Sequence, residues 1–108
     1  MKILVIDDDD NFRGLLIALL KMDGHEPLGA EDGSSGIELA RETNPDLILL
    51  DALMPGMDGF KTCEAMKTDN DLKKIPVIML TVLEKVSDAE RAFESGANEY
   101  ITKPINEA

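Results

Sequence analysis

The stretch DLILLDALMPGMDG, residues 46–59, decides the fold of this chain. Its apolar run, residues 47–50, stops at one carboxylate, Asp51, and a loop containing Pro55, Gly56 and Gly59 follows. A continuous apolar run bounded by turn residues is typical of a strand that is covered on both faces. We therefore expect Asp51 at the C-terminal end of a buried strand, which is the edge where open α/β sheets bind ligands.

Similar strands precede and follow this stretch, and each is separated from the next by a helical pattern. The strands are predicted over residues 3–6, 26–30, 77–80 and 98–102, and strands one, three and four are the most apolar. This alternation favours an α/β fold with a five-stranded parallel sheet and helices on both faces. The three apolar strands should be central in that sheet.

The helical patterns also predict which side chains are buried. In the first helix one apolar stripe recurs at i, i+3, i+4, i+7 and i+8: Phe12, Leu15, Leu16, Leu19 and Leu20. The fourth helix should be capped by Ser87 or Asp88 and should turn Ala92 and Phe93 inward.

Length, charge and cysteine content limit the classes of function. The chain has 108 residues, enough for one domain, and a formal net charge of −11. So acidic a chain is a poor nucleic-acid binder, whereas a metal cation or a basic partner surface suits it. The single cysteine, Cys63, fits a reducing compartment. No apolar run approaches the ~20 residues of a membrane span, so we expect a soluble, cytoplasmic protein.

The ends of parallel strands meet at one edge of a sheet, which brings distant polar residues together. The residues expected there are three carboxylates, a hydroxyl and an ammonium: Asp7, Asp8, Asp51, Thr81 and Lys103. Crowded carboxylates repel one another, and a hard divalent cation removes that repulsion. Oxygen ligands suit Mg²⁺, and Mn²⁺ or Ca²⁺ can replace it in crystals. A carboxylate in such a site can accept a phosphoryl group as an acyl phosphate.

Four motifs carry a family resemblance. They are ILVIDD at residues 3–8, LLD with MPGMDG at residues 49–59, PVIMLT at residues 76–81 and YITKP at residues 100–104. Together they resemble the receiver domain of bacterial two-component response regulators from about residue 2 to residue 105, and we expect residues 1–108 to form one such domain. The resemblance implies a doubly wound, flavodoxin-like sheet with strand order 2-1-3-4-5.

The resemblance also implies roles for single residues. Asp51 matches the phosphoacceptor, and Asp7, Asp8 and the backbone carbonyl of Leu53 match the other protein ligands of Mg²⁺. Lys103 matches the lysine of the phosphoryl site. The switch pair that responds to phosphorylation is matched by Thr81 and Tyr100. A histidine kinase or a histidine phosphotransfer protein is the implied phosphoryl donor.

The sequence departs from the family pattern in two ways. Leu53 and Leu83 stand where the side chains of receivers border the path of the hydrolytic water, and both are apolar, so we expect slow autodephosphorylation. Val82 is larger than the residue that receivers usually have there, so we expect it to restrict the access of small donors to the phosphoryl site. Receivers also have a fifth helix after the Lys-Pro pair, and here only residues 106–108 remain for it. We expect this sequence to be a piece of a longer protein, and a minimal variant is the alternative. We expect the absence of the fifth helix to expose an apolar face through which the chain forms a homodimer.

The function expected from these observations is a phosphorylation-dependent signalling switch that alters the surface around helix four and strand five. It is not a conventional enzyme, although it takes part in its own phosphorylation and dephosphorylation. Two alternatives stay open: a small phosphohydrolase with an aspartyl nucleophile, and an interaction module that works without phosphate. The output domain and target are not implied by any residue.

Overall fold

A computed structural model describes residues 1–54, 56, 58–81 and 86–102 of the chain. Strands and helices alternate throughout this part of the chain. In chain order the elements are β1 (Lys2–Ile6), α1 (Asp10–Met22), β2 (Glu26–Ala30), α2 (Gly33–Thr43), β3 (Leu47–Asp51), α3 (Gly59–Lys67), β4 (Val77–Thr81), α4 (Val86–Glu94) and β5 (Glu99–Thr102).

The five strands form one parallel sheet in the order β2-β1-β3-β4-β5, which confirms the predicted fold. β1, β3 and β4 occupy its centre, as their apolar sequences predicted. Ile6 pairs with Leu50, and Asp51 pairs with Leu80. This register brings the C-terminal ends of the three central strands to the same level.

Most of the core lies on one face of the sheet, between the strands and the helices α2 and α3. Leu4, Ile48 and Val77 of the central strands are fully buried there. Cys63 of α3 is also inaccessible and belongs to this cluster. Burial raises the pKa of its thiol, so the uncharged form persists and Cys63 acts as a packing residue.

Aspartates begin three of the helices. The side chains of Asp9, Asp32 and Asp58 accept hydrogen bonds from backbone N–H groups in the first turns of α1, α2 and α3. These bonds satisfy donors that have no partner within the helix. α2 ends at Asn44, which adopts a left-handed conformation with φ of 50°.

The predicted apolar stripe of α1 is partly wrong. Leu16 is buried, but Leu15 and Leu19 are 55% and 51% exposed. The helix instead packs on the other face of the sheet through Phe12, Leu16, Ile17 and Leu20. The sheet covers one side of α1 only, so the flank that carries Leu15 and Leu19 lies in solvent.

The predictions for α4 also need correction. The helix begins at Val86, so Ser87 and Asp88 lie inside its first turn and neither is the cap. Ala92 is fully buried as predicted, whereas Phe93 is 52% exposed. The helix therefore packs through the small side chain of Ala92, and its aromatic side chain is half exposed.

Several predicted features lie outside the described residues. These are the side chains of Val82 and Leu83, the role of Lys103, and the truncated fifth helix over residues 106–108. Within residues 1–54, 56, 58–81 and 86–102 the structure contains four helices. Among these described residues, no helix has the length and apolarity needed to cross a membrane.

Candidate functional site

Three of the predicted site residues meet at the C-terminal edge of the sheet. Asp7 follows β1 directly, Asp8 comes next, and Asp51 is the last residue of β3. One carboxylate oxygen from each of these residues lies within 4.8 Å of the others. Since β1 and β3 are neighbours with Ile6 opposite Leu50, their backbones hold Asp7 and Asp51 side by side.

The cluster has a buried part and an exposed part. Asp7 and Asp51 are 2% and 6% exposed, whereas Asp8 is exposed to solvent. The Asp7 carboxylate accepts a hydrogen bond from the backbone N–H of Asp9 at 2.9 Å. The Asp51 carboxylate accepts one from the N–H of Leu53 at 3.2 Å. Backbone hydrogen bonds thus orient both buried carboxylates. Asp8 leaves the cluster open to solvent on one side.

The donor set is one that a hard divalent cation favours. All three clustered side chains offer carboxylate oxygen, without imidazole or thiolate. Mg²⁺, Mn²⁺ and Ca²⁺ prefer such oxygen ligands, and Mg²⁺ commonly keeps several waters. Asp8 lies on the solvent side, where a cation can retain those waters. The residues present therefore fit a divalent metal site.

Thr81 extends the site from the next strand. It is the last residue of β4 and is fully buried. The pairing of Asp51 with Leu80 places Thr81 one residue beyond the phosphoacceptor candidate along the same edge. Tyr100 lies in β5 opposite Met79, is half-buried, and packs against the main core. The structure therefore places Asp51, Thr81 and Tyr100 on three consecutive strands.

The loop after Asp51 returns closely onto the strand that it leaves. The side chain of Leu53 is 49% exposed, whereas Met54 is buried. The N–H of Gly59 donates a hydrogen bond to the carbonyl of Ala52 at 3.0 Å. A Cβ atom at Gly59 would lie 2.1 Å from the Asp51 carbonyl oxygen, so only glycine fits this contact. The start of α3 is therefore fixed directly against the end of β3.

Sequence reasoning missed one residue that supports the acidic cluster. Nη1 of Arg13 donates a hydrogen bond to the backbone carbonyl of Asp7 at 2.6 Å, and Nη2 pairs with Asp10 at 2.5 Å. These contacts join the first turn of α1 to the end of β1. The available signal was the spacing of Asp10 and Arg13, which places the two side chains on the same helix face.

Comparisons with known proteins relate this chain to response regulators. A family model described as the response regulator receiver domain matches residues 3–108. The chain is 42% identical over 105 residues to the DNA-binding dual master transcriptional regulator RpaA of Synechocystis sp.. This alignment covers 97% of the present chain. It is 38% identical over 106 residues to the protein PilH of Pseudomonas aeruginosa, with 98% of this chain and 88% of PilH covered. The match spans only 44% of the length of RpaA.

Solved structures share the same fold. The chemotaxis protein CheY4 of Vibrio cholerae superposes with a TM-score of 0.92 at 30% identity, covering 97% of this chain and 88% of that one. The Mn²⁺-bound form of the response regulator Rcp1 gives a TM-score of 0.85 at 32% identity, with 97% and 82% of the two chains covered. The family match, the strand order and the acidic cluster agree: this chain belongs to the receiver domain family of two-component response regulators.

Proposed function

We propose that this chain is a phosphoacceptor switch in which Asp51 receives a phosphoryl group from a histidine kinase or a histidine phosphotransfer protein. Membership of the receiver family supports a signalling role rather than that of a conventional enzyme. The observation that carries the proposal is the meeting of Asp7, Asp8 and Asp51 at one sheet edge, with Thr81 one residue further along. We further propose that residues 1–108 act together as the receiver domain.

The proposed transfer is a displacement at phosphorus. A carboxylate oxygen of Asp51 forms a bond to phosphorus while the bond from phosphorus to the donor imidazole nitrogen breaks, and the imidazole leaves with a proton from solvent. Asp7, Asp8, Asp51 and the backbone carbonyl of Leu53 are the proposed ligands of Mg²⁺. When bound, this ion supplies positive charge beside the phosphoryl oxygens. Lys103, outside the described residues, is proposed as the second cationic group.

The proposed response begins at Thr81. Its hydroxyl lies at the end of β4, next to the strand that carries Asp51, and can donate a hydrogen bond to a phosphoryl oxygen. β5 lies next to β4, with Thr102 opposite Thr81 and Tyr100 opposite Met79. A movement of Thr81 is therefore passed to Tyr100 through the neighbouring strand. Phosphorylation then shifts the population of conformers around α4 and β5.

A chemical labelling experiment tests the assignment of Asp51. Incubation with acetyl phosphate and Mg²⁺ should add one phosphoryl group, detected by mass spectrometry and removed by hydroxylamine. Asp51→Asn should abolish the adduct. Asp71→Asn, which changes an exposed aspartate in the loop before β4, is the matched control and should leave labelling intact. An adduct that persists in Asp51→Asn would refute the assignment.

The same preparation separates the alternative functions. Repeated turnover of a generic phosphate ester would indicate a phosphohydrolase with an aspartyl nucleophile. No adduct with any small donor or kinase would indicate an interaction module that works without phosphate. The receiver proposal requires a single stoichiometric adduct and no turnover of the ester.

We also propose that autodephosphorylation is slow. The side chain of Leu53 is half exposed beside the phosphoacceptor and has no polar group with which to orient a water molecule. Leu53→Glu introduces such a group and should shorten the lifetime of the adduct, whereas Leu53→Met should leave it unchanged. A lifetime of seconds in the unmodified protein would contradict this proposal.

We propose, finally, that the exposed flank of α1 mediates homodimerisation. Leu15, Leu19 and Met22 are 55%, 51% and 84% exposed on this helix, and Ile101 of β5 is 41% exposed. Burying such side chains is favourable by about 25 cal/mol for each Å² of apolar surface. Sedimentation velocity should show a dimer that Leu15→Glu with Leu19→Glu dissociates. A monomer at the highest soluble concentration would rule the dimer out.

A further inference from the structure

Arg91 joins α4 to the beginning of α3. The guanidinium carbon lies 4.2 Å from the centroid of the Phe60 ring, and Nη2 lies 3.7 Å from a carboxylate oxygen of Asp58. Phe60 is buried in the core, whereas the side chains of Arg91 and Asp58 are 55% and 32% exposed. The arginine therefore makes a stacking contact and an ion pair to two residues of the same helical turn.

The two contacted residues belong to a part of the molecule that is fixed against Asp51. Asp58 accepts a hydrogen bond from the N–H of Lys61 at 2.8 Å and caps α3. Gly59 bonds to Ala52 and packs against the carbonyl of Asp51. The beginning of α3 is thus fixed against the end of the phosphoacceptor strand, and Arg91 connects α4 to that same point.

The link can be released without disturbing the core. A groove of about 270 Å³ lies between α3 and α4, and its walls include Arg91, Glu64 and Glu94. The carboxylates of Glu64 and Glu94 line the same groove as Arg91 and are alternative acidic partners for it. By contrast, Ala92, the next residue of α4, is fully buried. Arg91 is therefore a releasable contact beside a permanent one.

We propose that Arg91 is a positioning residue that holds α4 in the place it takes before phosphorylation, and so sets how readily Asp51 retains a phosphoryl group. The proposal rests on the function proposed above, since a movement of α4 must accompany the phosphorylated state. Contacts present in only one of two states shift the equilibrium between them by their own free energy. Loss of the Arg91 contacts should therefore favour the phosphorylated arrangement.

Hydrogen exchange tests the link in the unphosphorylated protein. Arg91→Ala should raise amide exchange over residues 86–94 by about threefold, as expected for two partly exposed contacts, and leave exchange in α1 unchanged. Arg91→Lys keeps the charge without the planar group and should give an intermediate value. Glu90→Ala alters another exposed residue of α4 and is the control. Equal protection in Arg91→Ala and the unmodified protein would overturn the proposal.

Beryllofluoride titration with Mg²⁺ tests the effect on the phosphoryl site. Tyr100 is the only tyrosine and the chain has no tryptophan, so tyrosine fluorescence reports on β5 alone. Arg91→Ala should bind beryllofluoride about threefold more tightly. An unchanged or weaker affinity would overturn the role of Arg91 while leaving the phosphoacceptor function intact. A silent titration of the unmodified protein, together with no adduct from acetyl phosphate, would instead overturn that function, and this proposal with it.

A double-mutant cycle shows whether Asp58 is the partner. Asp58→Asn keeps an oxygen that can cap α3 but removes the charge that faces Arg91. Its effect on beryllofluoride affinity should be in the same direction as that of Arg91→Ala and smaller. The two changes together should have less than the product of their separate effects. Fully multiplicative effects would show that the residues act independently and would overturn the link.

Discussion

At the scale of single residues, Gly59 is a position where backbone atoms leave no room for a side chain. A Cβ atom there would lie 2.1 Å from the carbonyl oxygen of Asp51 and 2.5 Å from the Cα of Ala52. Both neighbours are backbone atoms, so neither can move aside as a flexible side chain would. The close approach fixes the beginning of α3, and with it the loop that contains Leu53.

Gly59→Ala should therefore lower the free energy of unfolding by about 1–3 kcal/mol and displace the loop after Asp51. Chemical denaturation measures the first effect, and weaker Mg²⁺ binding would report the second. Gly14→Ala is the matched control, because no atom lies within 4 Å of the added group. Alanine in the middle of α1 should stabilise the protein by about 0.5–1 kcal/mol. Equal effects of the two substitutions would contradict the steric explanation.

The positions of the three acidic residues were predictable from the sequence, because the backbone alone determines where they lie. Asp7, Asp8 and Asp51 follow apolar strands, and parallel strands bring their ends to one edge. Sequence reasoning failed for Arg13 and Arg91, because neither a hydrogen bond to a carbonyl nor a stacked ring follows from sequence spacing. The direction in which a long side chain folds depends on neighbours that only the tertiary structure provides.

At the scale of the elements, the cap of α2 responds to pH. The N–H and hydroxyl of Ser35 donate hydrogen bonds to the Asp32 carboxylate, and these bonds lower the pKa of Asp32 below its ordinary value of 3.8. A group whose pKa is lower in the folded state adds stability above its unfolded pKa. That contribution is fully present above about pH 4 and disappears as the pH falls through the folded value.

Asp32→Asn keeps a capping oxygen but has no charge to lose. The unmodified protein should exceed this variant in melting temperature near pH 6, and the difference should shrink towards zero as the pH falls to about 2. Circular dichroism melts across this range provide the measurement. A difference that stays constant with pH would show that ionisation of Asp32 does not contribute.

The elements themselves were largely predictable, because caps, glycines and apolar runs mark their ends. β2 occupies residues Glu26–Ala30 and α3 begins after Asp58, as the sequence indicated. The outward faces were less predictable. Leu19 and Phe93 fit helical stripes, yet both are half exposed, because a stripe shows which residues share a face but not how much of it is covered.

At the scale of the whole molecule, cation binding should stabilise the fold. The net charge of −11 and the three clustered carboxylates disfavour the folded state, and a divalent ion that binds only this state offsets the repulsion. At 100 times its dissociation constant, Mg²⁺ should add about 2.7 kcal/mol, which corresponds to a rise of about 10 °C in melting temperature.

The control for this prediction separates site binding from general screening. NaCl at equal ionic strength should produce a smaller rise, since it reduces repulsion without occupying the cluster. Asp8→Ala should lose most of the Mg²⁺ effect and little of the NaCl effect. If both salts raise the melting temperature equally, the carboxylate cluster is not a metal site.

The strand order also affects the sequence of events while the protein is being made. β1, β2 and β3 are neighbours in the sheet, and all three belong to the first half of the chain. That half also contains Asp7, Asp8 and Asp51. Thr81 and Tyr100 belong to the second half. At about 5–20 residues per second, a ribosome adds Thr81 about 1.5–6 seconds after Asp51, the last member of the acidic cluster. A growing chain therefore carries its three clustered carboxylates before it has Thr81 and Tyr100, the residues proposed to respond to phosphorylation.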